Sequence, residues 1–293
     1  MNRLRALLTA MRPHQWSKNL LLAIPPVFAQ VWTEPPVIYS VTLAFVAFCL
    51  AASGGYIIND LIDAEADRRH PEKRRRPFAS GELSPLFGTL SGSVLLAASI
   101  GLGFVAVNRS FGIVVTAYVV LSMAYSAYIK RRLLWDVILL ATLYTLRLFA
   151  GSAAAEVPTS SWLLGFSMFF FLSLAFAKRF VEFDEAKSAH SAGSPRPYKE
   201  IDLEAFRTMG STSGLLSILV LALYINSELV TRAYSNPQFL WLLCPLLSYW
   251  ILRVWMITLR GELHYDPIVF ALKDRVSYAI VACIAIVLYL AVR

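Results

Sequence analysis

The residues best equipped for chemistry stand together in Asn59-Asp60-Leu61-Ile62-Asp63-Ala64-Glu65-Ala66-Asp67-Arg68. A basic run, Arg69-His70-Pro71-Glu72-Lys73-Arg74-Arg75-Arg76-Pro77, follows directly. At 100° per residue Asn59, Asp63 and Asp67 share one helical face, and Asp60, three before Asp63, lies beside them. Three carboxylates and an amide on one stripe repel each other unless positive charge sits among them. A hard dication such as Mg²⁺ suits that stripe. It takes one or two carboxylates and fills its other octahedral positions with water and phosphate oxygens. The arginines just beyond then meet the phosphate charge that the metal leaves uncompensated. The competing reading is a solvated helix end beside a basic loop.

The element that must present this stripe is a membrane helix. The 293-residue chain is 57% hydrophobic and 16% charged, with a mean hydropathy of +0.59. Its apolar residues fall in blocks long enough to cross a bilayer as helix. Nine spans are expected, at 17–33, 37–58, 86–107, 111–129, 134–155, 160–180, 207–227, 237–258 and 276–293, the first kinked or broken at Pro25-Pro26. The weak alternating segments of a β-barrel are not seen. No small-residue cleavage site follows the first apolar block, so no cleaved leader is expected. The fold class is therefore all-α: one polytopic membrane domain over residues 1–293.

Basic residues orient it. Of the 27 Lys and Arg, all but Arg109, Arg147, Arg232 and Arg293 fall on one side if the N-terminus is cytoplasmic. The expectation is a multi-pass plasma (inner) membrane protein with its C-terminus outside. Its net charge of +8 then faces lipid headgroups and phosphorylated cytosolic compounds. Short basic runs at membrane ends argue against nucleic acid. Cys49, Cys244 and Cys283 lie in separate apolar spans, and His14, His70, His190 and His264 are scattered, which argues against disulfide and zinc frameworks.

Other polar groups recur at the same membrane side. Lys18 and Asn19 open the first span, where a snorkelling lysine reaches phosphate depth; Arg12 and Trp16 before them also suit interface anchors. Ser84 and Pro85 read as the N-cap and first residue of a helix. Tyr125 and Tyr128, three apart, put two phenols above Lys130, Arg131 and Arg132. Arg147 lies eleven residues beyond Asp136, about 16 Å deeper at 1.5 Å per residue. An arginine at such depth needs a carboxylate or phosphate partner, or hydration. Lys178, Glu182 and Glu185 form a stripe at the end of the sixth span with Arg179 beside it. A Ser/Gly/Pro-rich loop from Ser188 to Lys199, expected to be mobile, follows, and polar loops at 260–267 and 273–275 precede the last span. Four of these clusters end even-numbered spans, so a ring of helices would gather them around a central cavity open to the cytoplasm.

The spans and the Asn59-Asp60-x-x-Asp63-x-x-x-Asp67 pattern resemble the UbiA superfamily of intramembrane prenyltransferases. That family carries a second aspartate-rich motif after its sixth helix. Here that place reads Lys178-Arg179-Phe180-Val181-Glu182-Phe183-Asp184, with two cations at its start. The substitution is similar to one branch, the decaprenyl-phosphate phosphoribosyltransferases. So are Arg12-Pro13-x-Gln15-Trp16-x-Lys18-Asn19, the Asp67 to Pro77 run, and Leu146-Arg147 with Gly151.

The resemblance implies transfer of 5-phosphoribose from phosphoribosyl diphosphate to a polyprenyl phosphate, with Mg²⁺ as cofactor. Asn59, Asp60, Asp63 and Asp67 would hold the metal on the donor diphosphate, and Asp63 or Glu182 would stabilise positive charge at the anomeric carbon. Lys178, Arg179 and Lys18 are candidates for the 5-phosphate or the acceptor phosphate. Arg74, Arg75 and Arg76 are candidates for the diphosphate, and Arg147 for the lipid phosphate. Two alternatives stay open: an aromatic prenyltransferase using a polyprenyl diphosphate, and a transporter or lipid-binding scaffold. Lipid length and oligomeric state are left open, a homo-oligomer included.

Overall fold

A computed structural model of the chain describes residues 3–69, 73–188, 198–263 and 266–293. His70, most of the loop expected to be mobile, His190 and the His264-Tyr265 pair lie outside the described residues. Every regular element among those described is helical. In order they are α1 (Arg3–Met11), a 3-10 helix (Pro13–Ala23), α2 (Ile24–Phe28), α3 (Pro35–Arg68), α4 (Pro85–Leu102) running into a π-helical turn (Gly103–Val107), α5 (Arg109–Ala127) and α6 (Trp135–Ala154). Then come α7 (Ser161–Ser188), α8 (Asp202–Ile225), α9 (Glu228–Ala233), a 3-10 helix (Pro237–Leu242), α10 (Leu243–Leu259), α11 (Pro267–Ala271) and α12 (Arg275–Val292).

Among the described residues, eight helices are long and apolar enough to cross a membrane. The break expected in the first span, 17–33, is present. Pro25 and Pro26 lack N–H donors and open the short α2, so the segment is a 3-10 helix followed by one α-helical turn. A 3-10 residue rises about 2.0 Å, so these two pieces laid end to end reach about 30 Å, the depth of a hydrocarbon core. Local chemistry sets the other boundaries. Pro35-Pro36 start α3, Ser84 Oγ accepts from Phe87 N–H at 3.3 Å with Pro85 following, and Asn108 Oδ1 accepts from Phe111 N–H at 2.8 Å.

The helices fall into two compact units. One comprises residues 1–139 and 143–159, the other 140–142 and 160–293. In the first, α3 is central and packs on α1, α4, α5 and the 3-10 helix. Small residues permit that closeness, as in lipid generally: a Cβ on Gly54 of α3 would sit 2.8 Å from Leu96 and 2.9 Å from the Gly92 carbonyl of α4. The core joins Phe48, Phe111, Val115 and Tyr118 across α3 and α5. Outward, Leu86, Leu90 and Val94 repeat every four residues on α4 and are exposed. That is an apolar stripe suited to acyl chains. In the second unit α8 packs on α7 and α10, and α10 on α12. Trp255 Nε1 donates to Ser173 Oγ (2.9 Å) and Trp250 Nε1 to Ser277 Oγ (2.9 Å), so each buried indole N–H has a partner.

Candidate active site

The carboxylates are fixed by a continuous helix. α3 runs unbroken through Asn59, Asp60, Asp63 and Asp67, so one helix carries all four, although Asp67 pairs with the Asp60 side of the helix and not with Asn59 and Asp63. What faces it is positive. A single atom, Arg76 Nη1, lies 3.1 Å from Asp60 Oδ1 and 2.8 Å from Asp67 Oδ2. Arg12 Nη2 meets the same Asp60 oxygen at 2.5 Å. Lys130 Nζ sits 2.6 and 2.7 Å from the two Asp63 oxygens and 3.2 Å from Asn59 Oδ1, while Asn59 Nδ2 donates to Asp63 Oδ2 at 3.2 Å. The stripe therefore divides into two seats, Asp60/Asp67 and Asn59/Asp63, each filled by a nitrogen cation.

Each cation reaches its seat from a turn. Arg76 follows the single 3-10 turn Lys73–Arg75, in which Arg74 and Arg75 point outward and are exposed. Lys130 belongs to the 3-10 turn Ile129–Arg131 after α5. Arg12 links α1 to the 3-10 helix in a left-handed conformation (φ 53°, ψ 60°), uncommon for a side chain other than glycine. Around it, Trp16 Nε1 donates to Ser53 Oγ (3.0 Å), Ser53 Oγ donates to the Met11 carbonyl (3.2 Å), and the guanidinium lies 5.1 Å from the Tyr56 ring centroid.

Deeper in the same unit is a buried polar group around Arg147. Its Nε donates to Asn19 Oδ1 (3.0 Å), Nη1 to the Leu143 carbonyl (2.6 Å) and Nη2 to the Tyr118 hydroxyl (2.9 Å). The rings of Tyr118, Tyr144 and Phe48 surround the guanidinium at 4.9, 5.4 and 5.9 Å. Lys18, also buried, is 5.6 Å from the Tyr144 ring centroid. The 3-10 helix that carries Lys18 and Asn19 can lie against α6 only because residue 151 is glycine; a Cβ there would run into the Leu22 carbonyl.

The second unit holds the other cations. Lys178 Nζ pairs with Asp266 Oδ2 at 3.0 Å. Arg179 is buried and pairs with Glu182 Oε2 at 2.6 Å, one helical turn on. Arg253 grips Asp274 with both terminal nitrogens (2.8 and 3.0 Å), and Ser277 adds its N–H and O–H. Burial pushes the Asp274 carboxyl upward, but the Arg253 and Ser277 hydrogen bonds outweigh it and hold the carboxyl below its ordinary value.

Several placements differ from the spacing argument. Tyr125 and Tyr128 do not share a helical face: α5 ends at Ala127, Tyr128 leaves the helix (φ −129°, ψ −49°) and is 75% exposed, while Tyr125 packs partly against the core. The two basic side chains at 178 and 179 also part, one toward Asp266 and one inward toward Glu182. Arg12, Tyr56, Tyr118, Tyr144 and Asp266 are site-forming groups that sequence spacing alone does not single out. Arg12 lies 48 residues from Asp60, and nothing local links the two.

The donor set suits a hard dication in type: carboxylate and amide oxygens, with Arg76 Nη1 standing where two carboxylates converge. Among the described residues no group of three acidic, His or Cys side chains is gathered as a ready-made metal cage. The acids point at their own cations instead.

A many-pass helical membrane protein whose carboxylate stripe is paired with Arg12, Arg76 and Lys130 fits the membrane-embedded transferase class. The chain belongs to the UbiA prenyltransferase family, whose profile matches residues 21–273. Among its relatives is an uncharacterized protein of Sinorhizobium fredii, 40% identical over 95% of this chain, which spans 54% of that protein's length. The nodulation protein NoeC of Azorhizobium caulinodans is 34% identical over 94% of this chain and 90% of its own. The decaprenyl-phosphate phosphoribosyltransferase of Mycolicibacterium smegmatis is 31% identical over 94% of this chain and 88% of its own. In fold the chain is similar to a UbiA homolog from Archaeoglobus fulgidus, solved bound to GPP and Mg²⁺. The TM-score is 0.75 at 19% identity, covering 97% of this chain and 99% of that one.

Proposed function

We propose that the protein transfers 5-phosphoribose from phosphoribosyl diphosphate to a polyprenyl phosphate, such as decaprenyl phosphate, and releases diphosphate. Mg²⁺ is its cofactor, and the lipid-linked phosphoribose serves cell-envelope glycan synthesis at the plasma membrane. One observation carries the reading: the number of cations against the carboxylate stripe. Arg12, Arg76 and Lys130 pair with it, and Arg74 and Arg75 stand exposed in the adjoining turn. If a dication takes the acids, those cations are left for phosphate groups, and phosphoribosyl diphosphate brings a 5-phosphate that an allylic diphosphate lacks. The relation to the Mycolicibacterium phosphoribosyltransferase supports the same donor.

In this reading Asn59, Asp60, Asp63 and Asp67 supply hard oxygen ligands. A dication held by these residues would supply charge neutralisation for the departing diphosphate. Arg74, Arg75 and Arg76 turn to the diphosphate oxygens, and Lys130 with Tyr125 and Tyr128 borders the donor. Positive charge developing at the anomeric carbon is stabilised by a carboxylate, Asp63 or Glu182, the latter held by Arg179. Lys178, Arg179 and Lys18 are assigned to the 5-phosphate or acceptor phosphate, and Arg147 to the lipid phosphate. The acceptor is already anionic at pH 7, so it needs no general base, and its attack opposite the diphosphate inverts the anomeric centre.

The test is incubation of purified protein with Mg²⁺, labelled phosphoribosyl diphosphate and decaprenyl phosphate. Label entering the lipid fraction with matching diphosphate release is the expected result. Label that stays aqueous while a prenyl diphosphate donor is consumed would overturn the proposal in favour of an aromatic prenyltransferase.

A further inference from the structure

We propose that Arg12, Arg76 and Lys130 are resident counter-ions of the carboxylate stripe that exchange partners when donor and metal arrive, so that metal and diphosphate bind interdependently. The inference rests on the donor reading above and adds Arg12 to the residues that position the donor.

Two features of the geometry lead there. First, the cations stand where ligand-bound charge belongs. Arg76 Nη1 alone bridges Asp60 and Asp67, and Lys130 Nζ alone touches both Asp63 oxygens and the Asn59 amide oxygen. Second, the acids are fixed and the cations are not. The Asp60 and Asp67 side chains are 2% and 7% exposed on one rigid helix. Arg12, Arg76 and Lys130 are 24%, 27% and 13% exposed and hang from a helix junction or a short turn. At the Asp60/Asp67 seat a ligand from the open side meets the cations first, whereas at the other seat Asp63, 23% exposed, is as open to a ligand as Lys130.

The energetics follow from charge. Metal arriving alone must push the cations off the carboxylates without offering them new partners. Diphosphate arriving alone must draw the cations away and leave clustered carboxylates facing each other. Arriving together, each ligand satisfies the groups that the other displaces, and charge is conserved across the exchange. Such mutual dependence is a coupling free energy, and by linkage it acts equally in both directions; ordinary couplings amount to about 5- to 150-fold. Arg12 takes part because Asp60 Oδ1 accepts from both Arg12 and Arg76. Its backbone at this junction is left-handed, an uncommon conformation for a residue other than glycine.

The experiment uses the full chain in lipid nanodiscs and Mn²⁺ as the metal probe, with and without inorganic diphosphate. Protein-bound metal is counted by equilibrium dialysis, and free aquo-Mn²⁺ is read by electron paramagnetic resonance, so that solution chelation is accounted for. Wild-type protein should hold Mn²⁺ at least about tenfold more tightly with diphosphate present. Arg12→Gln, Arg76→Gln and Lys130→Gln should each bind Mn²⁺ alone about five- to tenfold more tightly than wild type, with a smaller gain from diphosphate. Equal wild-type affinity with and without diphosphate would overturn the inference. So would variants that remain folded, by thermal unfolding, and bind Mn²⁺ alone no more tightly than wild type. The wild-type comparison needs no variant to fold. Coupling with inorganic diphosphate but no phosphoribose in lipid removes the donor reading and leaves the exchange standing; transfer without coupling does the reverse.

Discussion

At the scale of single residues, the difference between a carboxylate that holds structure and one that holds ligand lies in its partners. Asp274 has two guanidinium nitrogens and both donors of Ser277, so its lone pairs are spoken for. Among the described residues Asp63 is paired with Lys130, a long side chain on a short turn, and with Asn59 one helical turn back, and it is the acid most readily given over to a ligand. Asp63→Asn is therefore expected to lower kcat for phosphoribose transfer by about 10²-fold or more, the usual cost of removing one preorganised electrostatic group. Single-turnover transfer at saturating donor measures it, and an undiminished rate would return Asp63 to a purely structural role. Arg147 shows the opposite arrangement. Its partners Asn19, Tyr118 and Leu143 are all neutral, so it is a cation held by dipoles and ring faces in a place where bare charge is costly.

At the scale of elements, close approach and capping do the positioning. The 3-10 helix bearing Lys18 and Asn19 reaches Arg147 because Gly151 leaves room for the Leu22 carbonyl. Gly151→Ala should destabilise the protein by about 1–3 kcal/mol, the range for overpacked cores, read as a lower unfolding temperature in detergent. Retention of the wild-type temperature would mean that the 3-10 helix can shift without loss. The start of α12 offers a pH test. Asp274 has a folded-state pKa below its ordinary 3.8, so its stabilisation is complete above that value and is lost as pH falls through the folded pKa. The unfolding-temperature gap between wild type and Asp274→Asn should hold from pH 7 to about 4 and close only at more acid pH. A gap that closes nearer neutrality would contradict the assigned ion pair.

At the scale of the whole molecule, eight helices among the described residues are long and apolar enough to make the chain a many-pass membrane protein. The basic-residue bias predicts a cytoplasmic N-terminus. In a cysteine-free background, a cysteine at Arg131 should react with an impermeant maleimide only after membranes are opened, and one at Arg109 should react on intact cells. The reverse pattern would invert the topology and place the carboxylate stripe on the wrong side for a cytosolic donor.

What the sequence determines by itself is whatever depends on neighbours along the chain. Apolar block length gives the spans, the 3.6-residue period gives the Asn59, Asp60, Asp63 and Asp67 stripe, Ser84-Pro85 gives a helix start, and Pro25-Pro26 gives the break in the first span. A helix forms from contacts three and four residues apart, and those are visible in the letters. Which cation meets which acid is a different kind of fact. Arg12 with Asp60, Lys130 with Asp63 and Arg147 with Asn19 join residues 48, 67 and 128 positions apart. Electrostatic attraction does not choose among basic residues that outnumber the acids 27 to 19. Only the packing of helices, through gaps such as the one at Gly151 and the left-handed turn at Arg12, brings a particular pair within reach.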